Sequence, residues 1–306
     1  MSRVLVTGAT GFIGRGTLEP LLAGGFEVHA AGRRGPDSEA AAGVHWEHAD
    51  LLSERGVEEV LERVAPTHLL HLAWYAEPGA FWRSPENLRW LEASLRLLRA
   101  FAGRGGQRAV IAGSCAEYAW EERTRCREDV TPCRPATLYG ASKHALHVVA
   151  ERYAEEVGMS LAWGRVFFVF GPHEHPARLG GSVARALVLG EPAACSHGEQ
   201  VRDFLYSEDL AEAFVALLRS PVQGAVNLAS GEPARVRDLV EALAGAAGRP
   251  DLIRLGARPA PAGEPAELVA DVSRLREEVG WIPAASLEQR AAATIAWWRR
   301  ELRARR

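Results

Sequence analysis

The chain has 306 residues, enough for one large domain or two modest ones, and its 47% hydrophobic content can fill a sizeable core. A formal net charge of −3 lacks the basic footprint of a nucleic-acid-binding protein. No apolar run reaches the ~18 residues of a membrane span, so neither nucleic acid nor a membrane is expected as a partner.

In chain order, the first half alternates. Short apolar runs at 4–7, 27–31, 44–47, 68–71, 109–112 and 161–166 have the composition of strands buried on both faces. Amphipathic stretches at 13–22, 54–64, 85–102 and 139–157 lie between them and predict helices. This alternation implies a parallel sheet with right-handed crossovers and helices on both faces. After Gly171-Pro172 the pattern is less regular. Helical stretches occur near 183–189, 207–219, 236–247, 273–279 and 287–303, and 256–265 reads as a Pro/Gly/Ala-rich loop. The expected organisation is a Rossmann-type doubly wound α/β domain over 1–170 and a smaller C-terminal α/β substrate-binding domain over 171–306. Segments around 201–230 could pack back on the first domain, and the crevice between the two is the expected site. Cys115, Cys126, Cys133 and Cys195 show no CxxC spacing, and no signal-peptide layout precedes the first strand. Free thiols and a cytoplasmic location are therefore expected, with His173 and His175 as loop polarity rather than metal ligands.

The first strand runs into TGATGFIG at 7–14. Gly8, Gly11 and Gly14 at a strand-to-helix junction make a phosphate cradle. Small residues let the backbone approach a pyrophosphate, and the helix start aims N–H groups at it. With Thr10, Phe12 and Ile13 in the same turn, a dinucleotide is expected here. A carboxylate at the tip of the second strand would take the ribose 2′-hydroxyl of NAD. The stretch VHAAGRRG instead places Arg33 and Arg34 there, which suits the 2′-phosphate of NADP. NADP(H) is thus expected over NAD(H). Asp50 and Leu51, after the third strand, stand where an adenine contact is expected.

Lysine occurs once, at 143; the other 35 of the 36 basic residues are arginine. An ammonium is a compact charge that can give up a proton, whereas a guanidinium is a planar fork that stays charged. Tyr139 lies four residues earlier, on the same face of the predicted helix. The two read as a tuned acid/base pair.

TGATGFIG at 7–14, HLAW at 71–74, Asn87, GSCAEY at 113–118, YGASK at 139–143, RVFFVFGP at 165–172 and RDFLYSEDLAEA at 202–213 occur in one order along nearly the whole chain. In these motifs the sequence resembles the extended short-chain dehydrogenase/reductase family, within its nucleotide-sugar epimerase/dehydratase group. The resemblance implies that Tyr139 exchanges a proton with a carbonyl or carbinol oxygen and that Ser114 hydrogen-bonds the same oxygen. It implies that Lys143 holds the nicotinamide ribose and brings the tyrosine pKa from ~10 towards ~7. Leu72, Ala73, Trp74, Asn87 and Phe167 would line the cofactor. Cys115, Phe168 and Arg202 fall at substrate-side positions, where a guanidinium suits phosphates. The aromatic residues Trp74, Tyr75, Phe81 and Trp82 follow the fourth strand, at the edge where ligands sit in such sheets. Dehydratases of the group carry Asp-Glu directly after the Ser/Thr; Cys115-Ala116 stands there, so dehydration is not expected. The arginines at the ribose tip make NADPH-dependent reduction of a nucleotide-activated 4-keto-6-deoxy sugar, in deoxysugar biosynthesis, the leading expectation. An NAD-retaining nucleotide-sugar epimerase is the alternative, and a non-catalytic dinucleotide sensor is a third reading. A nucleotide-diphosphate sugar is the implied partner, and a homodimer through helices 85–102 and 139–157 the implied assembly.

Overall fold

The computed structural model describes residues 2–33, 35, 42–120, 125–260, 263 and 265–304. Arg34 lies outside them. In chain order come β1 (Arg3–Thr7), a 3-10 turn (Gly14–Thr17), α1 (Leu18–Ala23), β2 (Glu27–Gly32), β3 (Val44–His48), α2 (Glu54–Val64), β4 (His68–His71), α3 (Glu86–Gly103), β5 (Arg108–Ser114), β6 (Arg125–Cys126), α4 (Leu138–Val157) and β7 (Ser160–Val166). Then follow β8 (Phe168–Phe170), α5 (Leu179–Leu189), β9 (Ala193–Ala194), β10 (Val201–Tyr206), α6 (Ser207–Arg219), β11 (Gly224–Leu228), β12 (Pro233–Arg235), α7 (Val236–Ala247), β13 (Ile253–Arg254), β14 (Glu267–Ala270), α8 (Ser273–Glu277) and α9 (Leu287–Ala304).

Seven strands form one parallel sheet in the order β11-β7-β5-β4-β1-β2-β3. The chain leaves β1 for β2 on one side and returns to β4 on the other. The C-terminal end of β1 is therefore the switch point of the sheet, where a crevice opens and ligands bind in such folds. Both faces are covered, as the continuous apolar strands require. On one face, Val4, Val6 and Val28 pack with Leu210 and Phe214 of α6. On the other, Leu5 packs with residues of α2, α3 and α4, among them Val57, Leu97 and Leu146. A third core joins α5, α7 and α9 through Val183, Leu239 and Ile295. Arg108 locks α6 onto the sheet. Its guanidinium donates to the Leu217, Leu218 and Val222 carbonyls at 2.6–2.9 Å, two in the last turn of α6 and one just beyond it.

Two expectations change. The stretch 13–22 is not one helix: residues 14–17 form a 3-10 turn, and α1 begins only at Leu18. Gly14 and Gly16 are weak helix formers. A Cβ on Gly16 would already lie 3.0 Å from that of Ala211, so close packing on α6 decides this segment. The second half also contains strands that its composition hides. β11 is the outermost strand of the main sheet, and β10 pairs with β8, β12 and β14. These strands carry Arg202, Asp203 and Asn227 inward, and polar residues mask the apolar period. Asp203 is buried because it accepts from Ser230 N and Oγ, Gly231 N and Ala270 N at 2.6–3.2 Å, tying β10 to β14 and to the turn after β11. All four cysteines are free thiols. Among the described residues no helix is long and apolar enough to cross a membrane.

Candidate active site

The glycine turn closes on itself at the end of β1. Gly11 N donates to the Gly8 carbonyl at 2.9 Å. Gly8 has φ +73°, and a Cβ there would stand 2.8 Å from Ala73 N, so the turn presses on the exit of β4. A Cβ on Gly14 would stand 2.2 Å from the Gly8 carbonyl oxygen. The contact is tied from below by Thr7. Its Oγ1 pairs with His71 Nδ1 at 2.7 Å and accepts from Ala73 N at 3.3 Å. Ser94 Oγ donates to the Trp90 carbonyl, so its oxygen accepts from His71 Nε2 at 2.8 Å. This network assigns His71 as neutral with the proton on Nε2. Burial, helped by the Lys143 charge, pushes its pKa down to about 3, in agreement. Thr10 and Gly11 stay exposed at the rim, which leaves open backbone for a pyrophosphate. The residues present fit a dinucleotide. Gly14→Ala is expected to weaken dinucleotide binding by about tenfold to a hundredfold, because overpacking of this size costs about 1–3 kcal/mol. Calorimetric titration with NAD+ and with NADP+ checks it, and unchanged affinity for both counts against the cradle.

The chemical end is assembled by α4. Thr137 caps this helix, accepting from Gly140 N at 3.1 Å. A Cβ on Gly140 would lie 2.2 Å from the Ala116 carbonyl oxygen. The YGASK glycine thus lets the helix start touch the turn after Ser114, and this brings Tyr139 beside Ser114. Phe81 and Trp82 present edges to the Tyr139 ring, with centroids 4.9 and 5.7 Å away. Lys143, one turn on, is 3% exposed. Its Nζ donates to the Ala112 carbonyl at 2.8 Å and lies 3.8 Å over the Trp74 ring centroid.

In the protein alone, burial opposes the expected lowering of the tyrosine pKa. Burial pushes Tyr139 up to about 12, with the neighbouring Ser114 hydroxyl acting the other way. Burial also pushes Lys143 down to about 7, opposed by the Glu117 carboxylate. The ammonium faces a carbonyl and an indole, so in the protein alone desolvation outweighs any help it gives the phenol.

A layer beneath the site was missed in the sequence. Glu117 is 0% exposed. It accepts from Ser114 N at 2.7 Å, Trp163 Nε1 at 2.9 Å and Arg165 Nε at 3.2 Å. Arg165 is 2% exposed and also donates to Tyr118 Oη at 2.9 Å, and Tyr118 Oη donates to Asn227 Oδ1 at 2.7 Å. His147 stacks on Trp163 with centroids 4.9 Å apart, and burial beside Arg165 pushes its pKa down to about 3. The signal was present in Ser114-x-x-Glu117, the spacing of a capping box, which the structure forms.

Other expected site residues are otherwise engaged. Asn87 is 0% exposed, and its amide donates to the Phe81 and Ser84 carbonyls at 2.6 and 2.9 Å. Its Oδ1 accepts from Trp74 Nε1 at 2.8 Å, so it anchors the loop before α3 instead of presenting an open amide to the cofactor. The Arg202 guanidinium is buried, donates to the Val201 and Pro265 carbonyls at 2.9 Å and lies 5.1 Å over the Phe168 ring. Arg202 and Phe168 therefore pack on each other along β10 and β8. Cys115 is buried in the core and its thiol is pushed up by burial, so it is neutral packing. Leu51 is buried against α2, Asp50 accepts from Leu52 N at 3.1 Å, and Arg33 is exposed after β2. Phe167 is buried in the core beside Tyr118. His173 lies tilted against the Trp297 ring and pairs with Arg15, while His175 accepts from Ala177 N. A cavity of about 1040 Å³ opens beside the glycine turn, walled by Thr10, Phe12, Pro172, His173 and Trp297. Tyr139, Lys143 and Ser114 are not among the residues of its wall.

A doubly wound sheet with a glycine turn at its switch point and Ser114, Tyr139 and Lys143 gathered nearby defines an extended short-chain dehydrogenase/reductase. The chain belongs to the NAD dependent epimerase/dehydratase family, whose pattern matches residues 4–229. It is 28% identical to a UDP-glucose 4-epimerase of Corynebacterium glutamicum, over 92% of this chain and 91% of that one. It is 26% identical to UDP-glucuronic acid decarboxylase 1 of Xenopus tropicalis, over 98% of this chain and 73% of that one. Among solved structures, the Thermus thermophilus UDP-glucose 4-epimerase complex with NAD superposes with a TM-score of 0.86 at 29% identity, covering 97% and 99% of the two chains. MoeE5 in complex with UDP-glucose and NAD superposes at 0.85 with 30% identity, covering 98% and 100%.

Proposed function

We propose that the protein is an NAD-dependent nucleotide-sugar 4-epimerase acting on a UDP-hexose. The observation that carries this reading is buried Lys143 one helical turn after Tyr139 on α4, its Nζ donating to the Ala112 carbonyl at 2.8 Å, with Ser114 beside the phenol and no carboxylate pair directly after Ser114. The epimerases among the relatives support it, and the NAD bound to the Thermus epimerase and to MoeE5 supports NAD over the NADP(H) read from Arg33 and Arg34.

Bound NAD supplies the hydride acceptor and donor at the sugar carbon. Tyr139 Oη takes the proton of the C4 hydroxyl and later returns it to the ketone oxygen on the opposite face, so no net proton is consumed. Ser114 Oγ hydrogen-bonds that same oxygen and keeps it beside the phenol. Burial holds the phenol protonated, which favours the return step. Proton removal needs positive charge near the phenol, and Lys143 is the chain's nearest source on α4. Cys115 and Ala116 offer no acid or base, so water is not eliminated.

The test is incubation with UDP-glucose and UDP-galactose, reading the product's C4 configuration by proton NMR while following absorbance at the reduced nicotinamide band. Interconversion without net cofactor change supports the epimerase. Stoichiometric NADPH oxidation with a nucleotide 4-keto sugar would instead favour the reductase, the second reading, which rests on exposed Arg33 following a strand tip with no carboxylate. Leu88 on α3 and Val148, Val149 and Val157 on α4 are 46–50% exposed apolar residues, which supports pairing of two copies through these helices. Val149→Asp is expected to shift the mass seen by light scattering from dimer to monomer; a monomeric parent chain rejects the pairing.

A further inference from the structure

The chain has a single lysine, and it sits over an indole ring. Lys143 Nζ stands 3.8 Å above the Trp74 ring centroid and 2.8 Å from the Ala112 carbonyl oxygen. Trp74 cannot turn freely, because its Nε1 donates to Asn87 Oδ1 at 2.8 Å. Asn87 is fully buried and its amide is committed to the carbonyls of Phe81 and Ser84. The loop so tied carries Phe81 and Trp82, whose rings abut Tyr139. One buried asparagine therefore fixes both the wall behind the lysine and the wall beside the tyrosine.

We infer that Trp74 is a positioning residue: its indole face, locked by Asn87, holds the Lys143 ammonium against the Ala112 carbonyl, one helical turn from Tyr139. A ring face attracts a cation most strongly where water is excluded, and Lys143 is 3% exposed. The interaction offsets part of the desolvation that would otherwise drive the proton off. Three titratable groups bear on the ammonium. Glu117, below it, favours the charged form; His71 is neutral; Tyr139 shares its helix. The catalytic consequence rests on the epimerase reading, but the contact itself does not.

The unique lysine makes the test direct. Protein labelled with 13C at the lysine ε-carbon gives one side-chain resonance, which is titrated in the parent chain, in Trp74→Phe and in Trp74→Leu. The parent resonance is expected upfield of its position in denatured protein, from the ring current. Trp74→Phe keeps a ring and is expected to keep most of that displacement. Trp74→Leu is expected to lose it and to lower the titration midpoint by about one unit, a tenfold weaker hold on the proton. Equal midpoints in the parent chain and the leucine variant overturn the inference. If the leucine variant does not fold, a parent resonance at the denatured-state position overturns it instead. Both readouts are independent of turnover, so failure of the epimerase assay leaves them intact. If the assay succeeds, the leucine variant is also expected to lose kcat at high pH before the parent chain does.

Discussion

Replacing Tyr139 with phenylalanine is expected to lower kcat for C4 epimerisation by about a thousandfold while NAD+ binding stays within a few-fold of the parent chain. The substitution removes one oxygen and keeps the ring that packs edge-on against Phe81 and Trp82, so the fold should be untouched. What disappears is the group that takes and returns the proton. Ser114 remains but cannot replace it, since an unassisted hydroxyl is a poor base near neutral pH. Burial pushes the Tyr139 phenol up to about 12, so the parent enzyme needs local positive charge to use it as a base. Its activity should therefore fall as Lys143 loses its proton above about pH 7, and the variant's residual activity should lack that fall. Pre-steady-state measurement of reduced nicotinamide on mixing with a UDP-hexose, alongside calorimetry with NAD+, reads both parts. Turnover within tenfold of the parent chain would refute the assignment.

Arg165→Met should have the largest effect on stability. The guanidinium is 2% exposed and neutralises Glu117, which is 0% exposed. Removing one member of a buried ion pair leaves the other charge uncompensated and costs about 3–5 kcal/mol. In a chain of this size that corresponds to a fall in Tm of roughly 10 °C. Glu117 also accepts from Ser114 N, so the damage should reach the site and lower kcat. The double variant Glu117→Leu/Arg165→Met is expected to recover much of the lost Tm, because apolar groups of similar volume replace a buried pair at little cost. Activity should not recover with it, since the capping box that orients Ser114 is then gone. Calorimetric melting of the three proteins checks the first claim and kcat the second. An Arg165→Met protein that melts with the parent chain would show that the pair contributes nothing.

The strands and helices of the first half were legible because each is a local pattern. β4 and α2 fall at the expected 68–71 and 54–64. The same reading failed at 13–22, where contact with α6 shapes the turn, and at β10 and β11, where buried Arg202, Asp203 and Asn227 mask the apolar period. At the site, the glycine spacing and the Tyr139–Lys143 interval are intervals along one segment, and a helix or a turn translates them directly into geometry. Glu117 had a local signal too, but its partners Trp163 and Arg165 lie 46 and 48 residues away.

The sequence by itself determined which groups can do chemistry here: a glycine cradle at the first strand end, a tyrosine one turn before the only lysine, and no carboxylate pair after Ser114. Only the tertiary structure decided what those groups face. It turned Arg202 to backbone carbonyls, locked Asn87 onto its own loop, laid Trp74 over Lys143 and buried Tyr139, which in the protein alone pushes its pKa up. The physical reason is that proton affinity and hydrogen-bond direction depend on burial and on the nearest dipoles. Burial is produced by contacts between elements far apart in the chain, such as β4 with β1 and α4 with the turn after β5, which no local pattern records.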